Sequence, residues 1–301
     1  MRVAALLILA ACGVEAPATG DPDSQPEHVP VTGVGPPSYA SLTDVVAWLD
    51  AETAARSPNT QLSLTIEDLQ TGEHVSLRGD EKHVSASSAK AWWVAAALDG
   101  VGIAPVEPYA GNIFRYSDNS ASGSVIDLIG PNAVNTWMWN VAGMNDSALT
   151  QWSYDKTRIA TNSPRALGSD NYMTSDDAVR FLARVYRKEI LVDERGDKLL
   201  EWMTLSPNTG LGGWIPARLP DDVAMTVMHK AGWLPPGCCS DDSYYNTSND
   251  IGIVVTPNGR AIAVAILARR GTDYAAQTEL VELSSCMLYK EVMQDEELAC
   301  E

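Results

Sequence analysis

Residues 83–98 read HVSASSAKAWWVAAAL, and within them Ser87-Ser88-Ala89-Lys90 stands where one pattern gives way to another. Upstream, Leu62, Leu64 and Ile66 alternate with polar residues, Thr71-Gly72 marks a turn, and Val75 and Leu77 resume the alternation. That is a hairpin with one buried face. Downstream, the residues from Ser88 towards Leu98 read as a helix. A serine at the start of a helix has the residue three positions on, here Lys90, on its own face. An alcohol is a poor nucleophile at neutral pH and needs a base within reach. A lysine serves as that base once burial or a nearby cation has lowered its pKa. The helix N-terminus favours negative charge developing at Ser87.

Working outward, Ser41 and Asp44 form an N-cap and first-turn acid for a helix carrying Leu42, Val45, Val46 and Leu49. Residues from about 88 to 206 are mostly helical in pattern, with helices over Asn119–Leu128, Asn132–Val141 and Ser175–Tyr186, the last opened by a Thr174/Ser175 cap. Between Asn145 and Met173 no periodicity holds, and so long an irregular stretch points to function. Strands return at Ala224–His229, Ile251–Thr256 and Ala261–Leu267, the last two around a Pro257-Asn258-Gly259-Arg260 turn. A final amphipathic helix places Ala276, Leu280, Leu283 and Met287 on one face. The fold class expected is α+β: one antiparallel sheet built from both chain ends and flanked by helices, with an all-helical subdomain inserted.

Two further elements join Ser87 and Lys90: Ser117-Asp118-Asn119 and Lys230-Ala231-Gly232. Together they follow the S-x-x-K, S-D-N and K-T-G set, in that order. A second S-x-x-K, Ser153-Tyr154-Asp155-Lys156, lies in the irregular stretch after the Ser-Asp-Asn element and is read as a decoy. The chain therefore resembles class A β-lactamases and penicillin-binding proteins over about residues 41–293, including the segments Asn112–Tyr116 and Ile215–Pro220. The resemblance implies a β-lactamase/transpeptidase-like fold and a serine acyl-enzyme mechanism. Ser87 would be the nucleophile, Lys90 its base, Ser117 a proton relay and Lys230 the neighbouring cation. Asn119, Ala231, Gly232 and Trp233 would bind substrate, the N–H groups of Ser87 and Trp233 forming an oxyanion hole. Gly232 would let a substrate approach the backbone, and Asp118 would hold its turn. His229 reads as packing or orientation.

Two departures qualify the substrate. No glutamate occurs between Glu107 and Glu189, where class A enzymes carry the base for deacylation, so Asp146, Asp155 and Asp170 are the only acidic substitutes. Ala231 stands where the family has Thr or Ser, and it cannot hydrogen-bond a substrate carboxylate. A small amide or ester, either a β-lactam or a peptidoglycan-like peptide, is the expected substrate. The alternative is a penicillin-binding or sensing envelope lipoprotein without turnover.

The chain has 301 residues and a formal net charge of −18, which argues against nucleic acid and anionic lipid as partners. Arg2 precedes an apolar run too short to span a bilayer, Val3–Ala11, and Leu9-Ala10-Ala11-Cys12-Gly13 resembles a bacterial lipobox. The expected organisation is a signal over 1–11, a lipidated Cys12 with a Pro/Gly/acid-rich tether over 12–38, and a hydrolase domain over 39–301. This places the protein, exported, in the bacterial cell envelope on a lipid anchor. Four cysteines remain, Cys238, Cys239, Cys286 and Cys300, an even number that suits disulfides in an exported chain. Adjacent Cys238 and Cys239 would pair only in a strained ring, so each is expected to join one of Cys286 and Cys300. No metal is expected, since none of the four histidines has ligand spacing, and no cofactor is implied. Cys12→Ala is expected to move the protein from the membrane to the soluble fraction. Unchanged fractionation would exclude the anchor.

Overall fold

The computed structural model describes residues 41–151, 157–164, 170–234 and 246–300. The expected signal, Cys12, the tether, Ser153–Lys156, Cys238 and Cys239 lie outside the described residues.

The chain opens with helix α1, Leu42–Arg56, whose N-cap Ser41 accepts the Asp44 N–H, as the cap pattern predicts. Strands β1 (Gln61–Asp68) and β2 (His74–Leu77) form the expected hairpin, and the short β3 (His83–Val84) leads to a 3-10 turn over Ala86–Ala89. Six helices follow: α2 (Lys90–Val101), α3 (Ile103–Tyr116), α4 (Asn119–Ile129), α5 (Pro131–Trp137), then, after the short strand β4 (Tyr172–Met173), α6 (Ser175–Tyr186) and α7 (Glu194–Met203). The helix expected over Asn132–Val141 is α5 continued by a π-turn, Met138–Ala142. The chain closes with α8 (Asp221–Ala224), β5 (Met228–Leu234), β6 (Thr247–Val255), β7 (Ala261–Arg269) and α9 (Tyr274–Met293).

The five-stranded antiparallel sheet has the order β2-β1-β7-β6-β5, so strands from both chain ends share it. β7 is central and apolar on both faces. Ile262, Val264 and Ile266 pack with α1 and α9, while Ala263, Ala265 and Leu267 pack with the inserted helices. Among those helices α2 is apolar all round, with every residue from Lys90 to Leu98 buried. A helix of that kind is stable only when other elements enclose it. Phe181 of α6 meets Trp92 of α2 edge-on, with centroids 6.3 Å apart. The α+β architecture read from the sequence is present.

Two expectations need correction. The late strand is not Ala224–His229. Pro220 and the acids of α8 make a helical turn first, and β5 then runs on through Lys230, Ala231 and Gly232. The third motif therefore lies inside a strand instead of ending one. The disulfide also differs: Cys286 pairs with Cys300 and not with Cys238 or Cys239. After α9 the left-handed Gln294 turns the chain back, and Arg218 holds its end by donating to the Cys300 carbonyl at 2.6 Å. That brings the two Cα atoms to 5.6 Å. Closing so short a loop contributes about 3 kcal/mol on the chain-entropy account.

Candidate active site

The site forms where the start of α2, the junction of α3 and α4, and strand β5 converge. Ser87 sits in the 3-10 turn, partly exposed, while Lys90, at the head of α2, is 2% exposed. In a 3-10 turn residues three apart eclipse, which keeps the two side chains on one side. Ala86, just before Ser87, has φ 46°, a left-handed backbone that costs a residue with a Cβ about 1–2 kcal/mol. Such strain collects at functional sites. The sequence carries no sign of it, since the residue is an alanine and not a glycine. The preceding segment is held from β6, where the buried Asn249 donates Nδ2 to the Val84 carbonyl at 2.7 Å.

Ser117 ends α3 in a left-handed conformation, φ 53°, and Asp118 caps α4 by accepting the Ala121 N–H at 2.8 Å. The structure thus gives Asp118 the turn-holding place read from the sequence. The Lys90 Nζ donates to the Ser117 carbonyl (2.5 Å) and to Asn119 Oδ1 (2.6 Å), and it lies 3.1 Å from Ser117 Oγ. From the other side Lys230, also buried, donates to Ser117 Oγ (3.1 Å) and to the Ala231 carbonyl (2.8 Å). One serine hydroxyl is therefore shared by two buried lysines. Burial, and then the charge of Lys230, push the Lys90 pKa well below that of a free lysine, with Asp118 opposing. Burial brings Lys230 down to about 8 against the pull of the Asp250 carboxylate. Ser87 Oγ has no hydrogen-bond partner among the described residues, and Lys90 is turned towards Ser117 and Asn119. Catalytic hydrogen bonds of this kind often tighten only with substrate present.

The Ala231 carbonyl, bonded to Lys230, lies on the outer side of edge strand β5, away from β6. Alternate residues of a strand present their N–H and C=O to the same side, so the Trp233 N–H faces outward as well. The structure adds a second constraint at Gly232. A Cβ there would stand 2.6 Å from the Ser87 nitrogen and closer still to that of Ser88. The glycine makes room for the Ser87 turn itself. Of the acids weighed as a base for deacylation, Asp146 pairs across 3.8 Å with Lys82 and Asp170 accepts the Asn171 N–H, while Asp155 lies outside the described residues.

His229 and Asp250 are the groups that motif reading underrated. Both are fully buried, with His229 Nδ1 3.0 Å from Asp250 Oδ1. Their signal in the sequence is a polar run, Thr247-Ser248-Asn249-Asp250, that opens the buried strand β6. A buried polar group in a strand interior calls for a partner. Replacing Gly232 by Ala is expected to displace the Ser87 turn, lower stability by about 1–3 kcal/mol and slow covalent labelling at Ser87 at least a hundredfold. A thermal melt and labelling kinetics check this together.

A family profile described as the beta-lactamase enzyme family, Beta-lactamase2, matches residues 104–292, which includes Ser117, Asn119 and Lys230 but begins after Ser87 and Lys90. No curated protein sequence matches the chain. Among solved structures, PBP-A aligns with a TM-score of 0.67 and 21% identity over 86% of this chain and 99% of its own. A variant of PBP-A, solved as an acyl-enzyme complex with penicillin G, aligns equally widely with a TM-score of 0.68 and 21% identity. The extended-spectrum β-lactamase TLA-3 gives a TM-score of 0.70 and 17% identity over 83% of this chain and 99% of its own. At such identities the structural likeness establishes the fold. With the fold and more than half of the chain matched, the protein belongs to the beta-lactamase enzyme family.

Proposed function

We propose that the chain is a serine hydrolase that forms an acyl-enzyme at Ser87 with a β-lactam or a related amide or ester. The observation that carries this reading is the single hydroxyl of Ser117 held 3.1 Å from the amines of both Lys90 and Lys230. With Lys90 neutral, every group there is satisfied. Its two N–H bonds serve the Ser117 carbonyl and Asn119 Oδ1, its lone pair accepts the Ser117 hydroxyl, and charged Lys230 donates to that hydroxyl oxygen.

A substrate carbonyl seated against the turn would meet Ser87 Oγ. As the oxygen bonds to the carbonyl carbon, its proton passes to the Lys90 amine. The negative oxygen that develops is met by the N–H groups of Ser87 and Trp233. When the bond to the leaving nitrogen or oxygen breaks, Lys90 returns its proton through the Ser117 hydroxyl to the leaving atom. Water must then release the acyl group. Asp146 pairs with Lys82 and Asp170 accepts the Asn171 N–H, and neither contact links the acid to Ser87 or Lys90, which supports the second reading, a penicillin-binding or sensing protein with little turnover. The likeness to a PBP-A variant solved as an acyl-enzyme complex with penicillin G supports the acylation step. The Leu9–Gly13 pattern supports attachment of this activity to the cell envelope through Cys12.

Ser87→Ala is expected to abolish labelling by a fluorescent penicillin or an activated ester, read by intact mass. Labelling that survives would refute the assignment of Ser87. Acylation should follow a bell-shaped pH profile, because Lys90 must be neutral and Lys230 charged. The rate falls on the acid side as Lys90 gains a proton, and on the alkaline side as Lys230 loses one at about pH 8. Lys230→Arg, which stays charged, should shift the alkaline limb upward. An unmoved limb would exclude Lys230 as its source.

A further inference from the structure

We propose that Asn249 is a positioning residue for the acylation of Ser87: its buried amide fixes the backbone that leads into Ala86, and with it the direction of the Ser87 N–H that meets the developing oxyanion. The proposal deepens the reading of Ser87 as an acylated nucleophile and rests on it.

One transverse row of the sheet lies under the segment that carries Ser87. In register, Gly232 of β5 faces Asn249 of β6, Asn249 faces Leu267 of β7, and Leu267 faces Ser63 of β1. The segment touches this row at three places. His83 Nε2 lies 2.8 Å from Ser63 Oγ. The Val84 and Ser85 carbonyls lie 2.7 Å and 3.4 Å from Asn249 Nδ2. The Ser87 and Ser88 nitrogens occupy the space that a Cβ on Gly232 would take. Asn249 makes the middle contact, immediately before the strained Ala86.

Both oxygens that Asn249 meets are backbone carbonyls, which only accept, so the NH2 end of its amide faces them. The shorter contact is a full hydrogen bond and the longer a weak one. Asn249 has no exposed surface, so solvent does not compete for the amide. The amide thus engages the two peptide planes that precede Ala86. The φ of Ala86, 46°, is a rotation measured from the second of those planes. A backbone angle of that kind persists only where its surroundings hold it.

Beyond Ala86, the Ser88 N–H closes the turn on the Ser85 carbonyl at 3.2 Å, whereas the Ser87 N–H has no backbone partner among the described residues. It is a donor left over for a ligand. An oxyanion donor works only when aimed at the place the charged oxygen will take. The aim of this one follows from the Ser85 peptide, which Asn249 and Ser88 hold from two sides. The second donor, the Trp233 N–H, follows Gly232, the ladder partner of Asn249, so the same row of the sheet sets both. Fully buried, Asn249 touches no substrate and acts through the backbone alone.

The test follows acylation of Ser87 by penicillin G and by an activated p-nitrophenyl ester, using intact mass over a range of probe concentrations. This separates the dissociation constant of the first complex from the limiting acylation rate. The full-length protein is compared with Asn249→Ala, and a thermal melt reports the folded fraction of each. In Asn249→Ala the limiting rate is expected to fall about a hundredfold, as when a reacting group is misplaced by about 1 Å, with the dissociation constant unchanged. The carbonyl stretch of the acyl-enzyme, read by infrared spectroscopy with an isotope-labelled acyl carbonyl, is expected to move to higher frequency as its hydrogen bonds weaken. Asn249→Ser keeps one donor and should recover part of both effects; it carries the same test if Asn249→Ala does not fold. A merely structural Asn249 would lower the melting temperature and leave the rate and the stretch of the folded protein unchanged. That result, or a loss confined to the dissociation constant, would overturn the proposal. If neither probe acylates the unaltered protein at Ser87, the assignment of the nucleophile itself fails, an outcome distinct from an unchanged rate.

Discussion

Two lysine side chains are buried against the oxygen of one serine, and much of the molecule serves to hold them there. Two ammonium groups in a low-dielectric interior repel each other and are poorly solvated. The arrangement is tolerable only if one of them gives up its proton readily, and Lys90 is the one so disposed. Its acceptors are the Ser117 carbonyl and the Asn119 amide, neither of them a carboxylate, so nothing in direct contact restores its positive charge. Lys230 has the Asp250 carboxylate near enough to offset part of the cost of its burial. Two lysines of the same intrinsic chemistry thus acquire different tasks from their surroundings.

The sheet and the helical insert are the frame for that asymmetry. The apolar α2 can exist only inside the helical layer, and it carries Lys90 to its buried place. β5, at the sheet edge, keeps one row of backbone groups unpaired by β6 and turns it towards the Ser87 turn. Gly232 allows the two to approach within the space a side chain would take. The backbone strain at Ala86 is maintained from outside the turn, by Asn249 on β6 and by the Ser85 N–H bonded to the Asn171 carbonyl.

Much of this was legible in the chain. The alternation in Leu62–Leu77, the cap at Thr174 and the apolar runs around Pro257–Arg260 are local signals, and the elements they predict are present. The convergence of Lys90, Ser117 and Lys230 was readable because each motif sits where an element begins or ends, or lies along a strand. The disulfide partner was not, because it depends on where the chain runs after α9, and no local pattern describes that turn. The extent of β5 was misread because Lys-Ala-Gly lacks the branched apolar residues that announce a strand, and pairing with β6 supplies the order instead. The roles of Asp250 and Gly232 were hidden for a similar reason: each is defined by a neighbour distant in sequence.

The placement of β7 between β1 and β6 has a consequence for how the protein comes into being. Gln61 is paired with Arg269, so the first strand of the sheet cannot find its central partner until almost the whole domain has been synthesised. Long-range pairing of this kind slows folding. Until it happens, Lys90, Ser117 and Lys230 are not brought together, because the strand bearing Lys230 is assembled through β6 and β7. A nascent chain thus lacks the paired-lysine site, which comes into being only as its two ends join.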